Sequence, residues 1–168
     1  MILIYTGKGK GKSSASCGQT LRAMGRDMRV AFVQFMKQEG KGGEQIMLAK
    51  LLGENFLAGG KGFFTRPEQF PAHRAAAQEV LLWVREKIPG LDLLVLDESL
   101  YALDCGLITQ KELQELMVPF TSEGKPILVL SGRGLPDWLR DQAHLVTEMT
   151  EIKHPYAQGI PAQEGVDF

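Results

Sequence analysis

Cysteine is scarce in this chain: Cys17 and Cys105 are the only two in 168 residues, too few for a disulfide framework or a four-cysteine zinc site. An excess of either charge is missing too. Nineteen Lys and Arg against 20 Asp and Glu leave a formal net charge of −1, which excludes a generally basic nucleic-acid coat and an acidic disordered tail. No apolar run approaches the roughly 18 residues of a membrane span; the longest are broken by Arg85, Glu86 or Asp97. The opening Met1-Ile2-Leu3-Ile4-Tyr5 lacks the basic start, long apolar region and cleavage site of a signal peptide. A cytoplasmic protein is expected, with neither nucleic acid nor membrane as partner. What remains is ordinary globular composition, 44% hydrophobic and 23% charged, at a length that supports one core and one domain over 1–168. Glycine is the excess: 19 of 168 residues, against an average of about 7%.

Short apolar runs alternate with amphipathic segments. Ile2 to Tyr5 is a continuous apolar run ending at Thr6-Gly7, as a buried parallel strand would be. Ser13 to Arg26 has the spacing of a helix, with Gly25 near its end; Arg29 to Phe35 reads as a second strand. Gly42-Gly43 opens a helix that Gly53 ends, and Phe56-Leu57-Ala58 is a weak third strand. Pro71 to Ile88 is the clearest helix, with Ala72, Ala76, Val80, Trp83, Val84 and Ile88 as its predicted apolar face. Leu91 to Leu96 is a central strand ending in Asp97-Glu98. Thr109 caps a helix to Val118, with Glu112 three residues on. Pro126 to Leu130 is a strand, Leu135 to Ala143 a short helix and His144 to Ile152 a last strand. Strand–helix alternation predicts an α/β fold: a mainly parallel sheet with helices on both faces. Ligands of such sheets sit at the carboxyl ends of the strands. Gly7 to Ser13, Asp97-Glu98 and Ser131 to Gly134 all fall there.

Thr6-Gly7-Lys8-Gly9-Lys10-Gly11-Lys12-Ser13-Ser14 follows a strand and opens a helix, the context of a phosphate-binding loop. Glycines let several backbone N–H groups aim at one point, and the helix N-terminus adds a positive dipole end. Lys12 is placed to reach the phosphates and the Ser13 hydroxyl to ligate Mg²⁺. Three residues separate Gly7 from Gly11, where the common motif leaves four. Leu93-Leu94-Val95-Leu96-Asp97-Glu98 supplies the matching acidic strand end; either carboxylate can hold Mg²⁺ directly or through water, and the sequence does not choose between them. Arg133 is a further phosphate candidate, since a guanidinium meets phosphate bidentately. Gln34 and Lys37, at another strand end, are placed to touch nucleotide or a second substrate.

These segments, together with Val33-Gln34-Phe35-Met36-Lys37, Leu145-Val146-Thr147-Glu148-Met149 and the tail from Lys153 to Gly165, resemble the ATP:corrinoid adenosyltransferase family. The resemblance runs from about residue 3 to Phe168, and the three-residue gap is the family's own form of the loop. It implies a P-loop NTPase-like fold. The implied activity transfers the 5′-deoxyadenosyl group of ATP to the reduced cobalt of a corrinoid, with Mg²⁺, releasing triphosphate. An electron donor for the cobalt and a homodimer are implied as well. Gly7, Lys8, Gly9, Lys10, Gly11, Lys12, Ser13, Ser14 and Arg133 would hold ATP, with Lys12 catalytic; Ser13 with Asp97 or Glu98 would hold the metal.

Phe63 and Phe64 are expected at the corrinoid. Phe63 matches the family phenylalanine of a Gly-Phe-Thr-Trp type segment, but Thr65 or Arg66 stands where the tryptophan would be. Either Phe64 replaces it or the corrinoid is activated differently. The family's N-terminal segment has no counterpart ahead of the first strand, so how the corrinoid is covered stays open. Reduced cobalt is itself the nucleophile, so no Ser, Cys, His or general base is required, and positioning plus charge stabilisation carry the reaction. Two other readings compete: an ATP-hydrolysing motor or kinase with Glu98 activating water or acceptor, and a corrinoid- or nucleotide-binding module without catalysis. Trp83, the methionines at helical spacing and both cysteines are read as core, and His73 and His144 as uninformative.

Overall fold

The computed structural model describes residues 1–121, 124 and 126–167. Six strands are joined by helices: β1 (Ile2–Thr6), α1 (Lys12–Met24), β2 (Val30–Gln34), α2 (Gly43–Leu52), β3 (Phe56–Ala58), α3 (Phe70–Lys87) and β4 (Leu93–Asp97). There follow α4 (Ser99–Asp104), α5 (Gln110–Met117), β5 (Ile127–Ser131), α6 (Asp137–Arg140) and β6 (Leu145–Glu148). The strands form one sheet in the order β3-β2-β4-β5-β1-β6, every ladder parallel. The expected α/β architecture is present.

Alternation along the strands divides the core in two. Ile2, Ile4, Ala31, Val33, Leu94, Leu96, Leu128 and Leu130 face α3 and α5, meeting Val80, Leu81, Val84, Leu113 and Leu116. Leu3, Val30, Phe32, Leu93, Val95 and Val129 face the other way, toward Ala23 of α1 and Leu48 of α2. Strands buried on both faces must be apolar at successive positions, which is why the runs were continuous. Each fully buried Leu, Ile or Val contributes about 1.5–3 kcal/mol.

Five expectations need correction. The buried stripe of α3 is His73, Ala76, Ala77, Val80, Leu81 and Val84; Ala72 is exposed and Trp83 and Ile88 only half-buried. At 100° per residue the two flanking positions, 72 and 83, fall outside a stripe broad enough to cover a sheet. The predicted last strand stops at Glu148, because Met149 to Glu151 leave the ladder to cross the glycine-rich loop, Gly9 donating to the Met149 carbonyl at 2.8 Å. The helix predicted over Leu135 to Ala143 shortens to α6, entered from extended Pro136. Cys17 and Cys105 are half-buried rather than core. His144 has a structural role: its Nδ1 accepts from the Ile2 N–H at 3.0 Å, fixing the start of β1.

Because all ladders are parallel, the carboxyl ends of neighbouring strands lie along one rim. Gln34 is in register with Asp97, and Tyr5 with Ser131. The site is built on that rim.

Candidate active site

The glycine-rich loop connects β1 to α1. Gly7 has φ +103, and a Cβ there would come within 2.4 Å of the Met149 carbonyl oxygen, so both conformation and space require glycine. Gly11, at φ +115, precedes α1 without a side-chain cap, which leaves the first-turn N–H groups available to an anion. Lys12 is buried and lies across the loop, donating to the carbonyls of Gly7 at 2.9 Å and Gly9 at 2.7 Å. Burial lowers its pKa, against the opposing pull of Glu98.

Below the loop, side chains from β5, β2, α1 and the segment after β2 converge on one carboxylate. Asp97, at the end of β4, is fully buried. It accepts hydrogen bonds from Ser131 Oγ of β5 at 2.5 Å, Gln34 Nε2 of β2 at 3.0 Å, and Ser13 Oγ of α1 at 3.1 Å. Lys37, just beyond β2, places its ammonium 3.6 Å from Asp97 Oδ2 and donates to Ser13 Oγ at 3.1 Å and Glu44 Oε1 at 2.7 Å. Gln45 orients Gln34 through a 2.8 Å bond to its Oε1. Burial alone would depress the Lys37 pKa, but Asp97 and Glu44 outweigh it and raise it. Glu44 likewise titrates below its usual range because its bond to Lys37 overcomes its own desolvation.

Glu98 turns the chain from β4 into α4 with φ +60, a conformation unusual for a residue with a side chain. Its carboxyl pKa is raised, first by burial and then by Asp97. A cleft of about 840 Å³ opens over the loop, with Lys8, Lys12, Ser14, Phe63, Glu98 and Arg133 among its walls. Phe63 is 69% exposed and meets Tyr101 of α4 edge-on, ring centroids 5.7 Å apart. Phe64 turns away and packs on Phe70 and His73. Arg133 donates to the Lys8 carbonyl at 3.4 Å. The tail closes one side: Gly165, Val166 and Asp167 line the cleft, and Asp167 pairs with Lys10. Burial, then Asp97, pushes the Cys17 thiol up to about 11, so the cleft offers no thiolate nucleophile there.

Comparison with known proteins places a chain that carries this glycine-rich loop, buried carboxylate and rim aromatic in a family. The family model described as ATP:corrinoid adenosyltransferase BtuR/CobO/CobP matches residues 1–168. The chain belongs to this family. Corrinoid adenosyltransferases similar to it include one from Sinorhizobium sp, 37% identical over 100% of this chain and 80% of that protein. Another, from Pseudomonas aeruginosa, is 32% identical over 100% of this chain and 83% of its own length. The corrinoid adenosyltransferase CobA of Salmonella typhimurium is 31% identical over 100% of this chain and 85% of the relative.

In this family member Lys8 to Ser14, Phe63, Glu98 and Arg133 share one cleft, whereas Asp97 lies beneath it and meets the cleft through Ser13. Phe64 stands apart, in the packing around α3. Glu44, Gln45 and the Ser131 hydroxyl were not singled out from sequence. A Gly-Gly-Glu-Gln helix start facing a strand end that carries Gln and Lys is the signal that would have found the first two. Mg²⁺, implied by the family, has suitable oxygen donors here: a hydroxyl and a carboxylate converge, and the ammonium of Lys37 faces both. Among the described residues no cluster of three His, Cys, Asp or Glu side chains forms a metal site by itself, so oxygens from the nucleotide would have to complete the shell. No described helix is long and apolar enough to cross a membrane.

Proposed function

We propose that the protein binds ATP with its triphosphate in the loop from Gly7 to Ser14 and transfers the 5′-deoxyadenosyl group to the reduced cobalt of a corrinoid. The observation that carries this is the cleft itself, in which the cradle and its buried lysine face an exposed phenylalanine across open space. The cobalt electron pair forms the cobalt–carbon bond at C5′, the C5′–O bond breaks, and triphosphate leaves with that bond's electrons. Lys12, Lys8, Lys10 and the loop amides stabilise the departing charge. Lys12 would exchange its two carbonyl partners for phosphate oxygens, and Arg133 would add a bidentate contact. Ser13 would hold Mg²⁺ with Asp97 or Glu98, and the ion would neutralise phosphate charge when bound. Phe63, with Tyr101 behind it, would present an apolar edge to the corrin and exclude water from the cobalt, whereas Phe64, packed on Phe70 and His73, takes no part in that wall. The family resemblance also carries a homodimer, an electron donor for the cobalt and a cytoplasmic setting.

The test is an anaerobic assay with ATP and cob(I)alamin. A light-sensitive cobalt–carbon product with stoichiometric triphosphate is expected. Glu98 supports a competing reading, since a carboxyl of raised pKa beside a phosphate cradle suits activation of water. ADP and phosphate without the organocobalt product would establish that reading, and binding without any product would leave a carrier.

A further inference from the structure

We propose that Lys37 is an internal stand-in for the metal ion, keeping the place between Ser13 and Asp97 closed to free divalent cations until a triphosphate arrives. This rests on the reading that ATP occupies the loop from Gly7 to Ser14. Lys37 is no loose surface lysine. Its ammonium is gripped by Glu44 at 2.7 Å, Glu44 accepts from Gln34 at 3.2 Å, and Gln34 is oriented by Gln45. Three side chains, from α2 and β2, thus fix one cation at one place.

That place has two properties a metal would need. Ser13 Oγ donates toward Asp97 and accepts from Lys37 at 3.1 Å, so the ammonium engages one of the two oxygen lone pairs that could ligate an ion and sets a positive charge beside the other. Asp97 is fully buried with Lys37 3.6 Å away as its positive counterpart. A buried carboxylate without such a counterpart is costly, and an approaching divalent cation would meet a like charge where its ligands are. A triphosphate changes both terms. It gives Lys37 a new anionic partner within the reach of its flexible stem, and it brings its own oxygens to the ion. Metal and nucleotide binding are thereby coupled: neither Ser13 nor Asp97 is open to the ion until phosphate has drawn Lys37 aside. Glu44 keeps the lysine tethered, so it returns when triphosphate leaves.

The experiment is a titration of the full, nucleotide-free chain with Mn²⁺, following loss of the free-ion signal by electron paramagnetic resonance. Wild type should bind Mn²⁺ weakly. Lys37→Met, which keeps the stem and removes the charge, should bind it at least about tenfold more tightly, a size typical of coupled sites. Lys37→Arg should stay like wild type, and Asp97→Asn added to Lys37→Met should abolish the gain. Circular dichroism checks that each variant folds, and Lys37→Gln replaces Lys37→Met if that variant does not. Equal Mn²⁺ affinity in wild type and the uncharged variants overturns the proposal, as does tight Mn²⁺ binding by nucleotide-free wild type. The readout contains no corrinoid and no turnover, so its failure is separate from failure of the adenosyl-transfer reading.

Discussion

Lys12 lies across the glycine-rich loop, held by two loop carbonyls at 2.9 and 2.7 Å, where the proposed function puts the triphosphate. Its removal should therefore leave the fold intact and strip the loop of its buried charge. Lys12→Met should retain its circular dichroism spectrum and lose about 10²–10³-fold in organocobalt product formation; a rate within tenfold of wild type would place the phosphates elsewhere. This residue was legible in sequence because its signal is local: glycines, lysine and serine lie within one turn of chain. The Asp97 network was legible only in part. Alternation along a strand says that Asp97 and Glu98 diverge, but not which of them faces Ser13. Glu98 also leaves the strand at φ +60, so alternation does not extend to it. Glu44 pairs with Lys37 from a different element, and Ser131 meets Asp97 from 34 positions away in sequence. Such contacts exist only once the sheet has brought strand ends together.

Elements with strong periodicity were readable, and elements defined by their neighbours were not. The four central strands showed themselves as continuous apolar runs, and α5 by its cap, where Thr109 accepts from the Glu112 N–H. Helix α4 gave no such sign: six residues with no side-chain cap, entered through a left-handed residue. Glu112 carries more than a cap. It accepts both guanidinium nitrogens of Arg74 on α3, at 2.7 and 2.9 Å, and the Thr109 N–H at 2.7 Å, tying α3 to α5. Chiefly through Arg74, its carboxyl is held down to about 2 from 4.5. A depressed carboxylate stabilises the native state fully above its unfolded value, and that contribution disappears as pH falls through the folded one. Glu112→Gln should thus destabilise the protein by about 1–2 kcal/mol at neutral pH, and the gap from wild type should close as pH falls from 4.5 toward about 2. Urea melts across that range are the check; a constant gap would mean the pair carries no charge-dependent stability.

For the molecule as a whole, the cleft draws on the loop after β1, the end of β2 through Lys37, the β4–α4 turn and the tail. Nucleotide bound there should restrain the entire sheet. ATP with Mg²⁺ at about 100 times its Kd should add about 2.7 kcal/mol, or about 5–10 °C in Tm for a chain of this length. Thermal melts of wild type and Lys12→Met measure it; the variant should lose most of the shift, and an equal shift in both would move the nucleotide out of the loop.

The strand order has a kinetic consequence. β1 lies between β5 and β6, pairing Leu3 with Val129 on one side and Leu145 on the other. The residues of β1 therefore emerge from the ribosome more than a hundred positions before either neighbour. Until both arrive, Ile2 to Tyr5 is a bare apolar segment with no ladder to join, the kind of exposure that invites aggregation during synthesis. Both β5 and β6 must be made before the glycine-rich loop has a floor, so its geometry is among the last to be set as the sheet assembles.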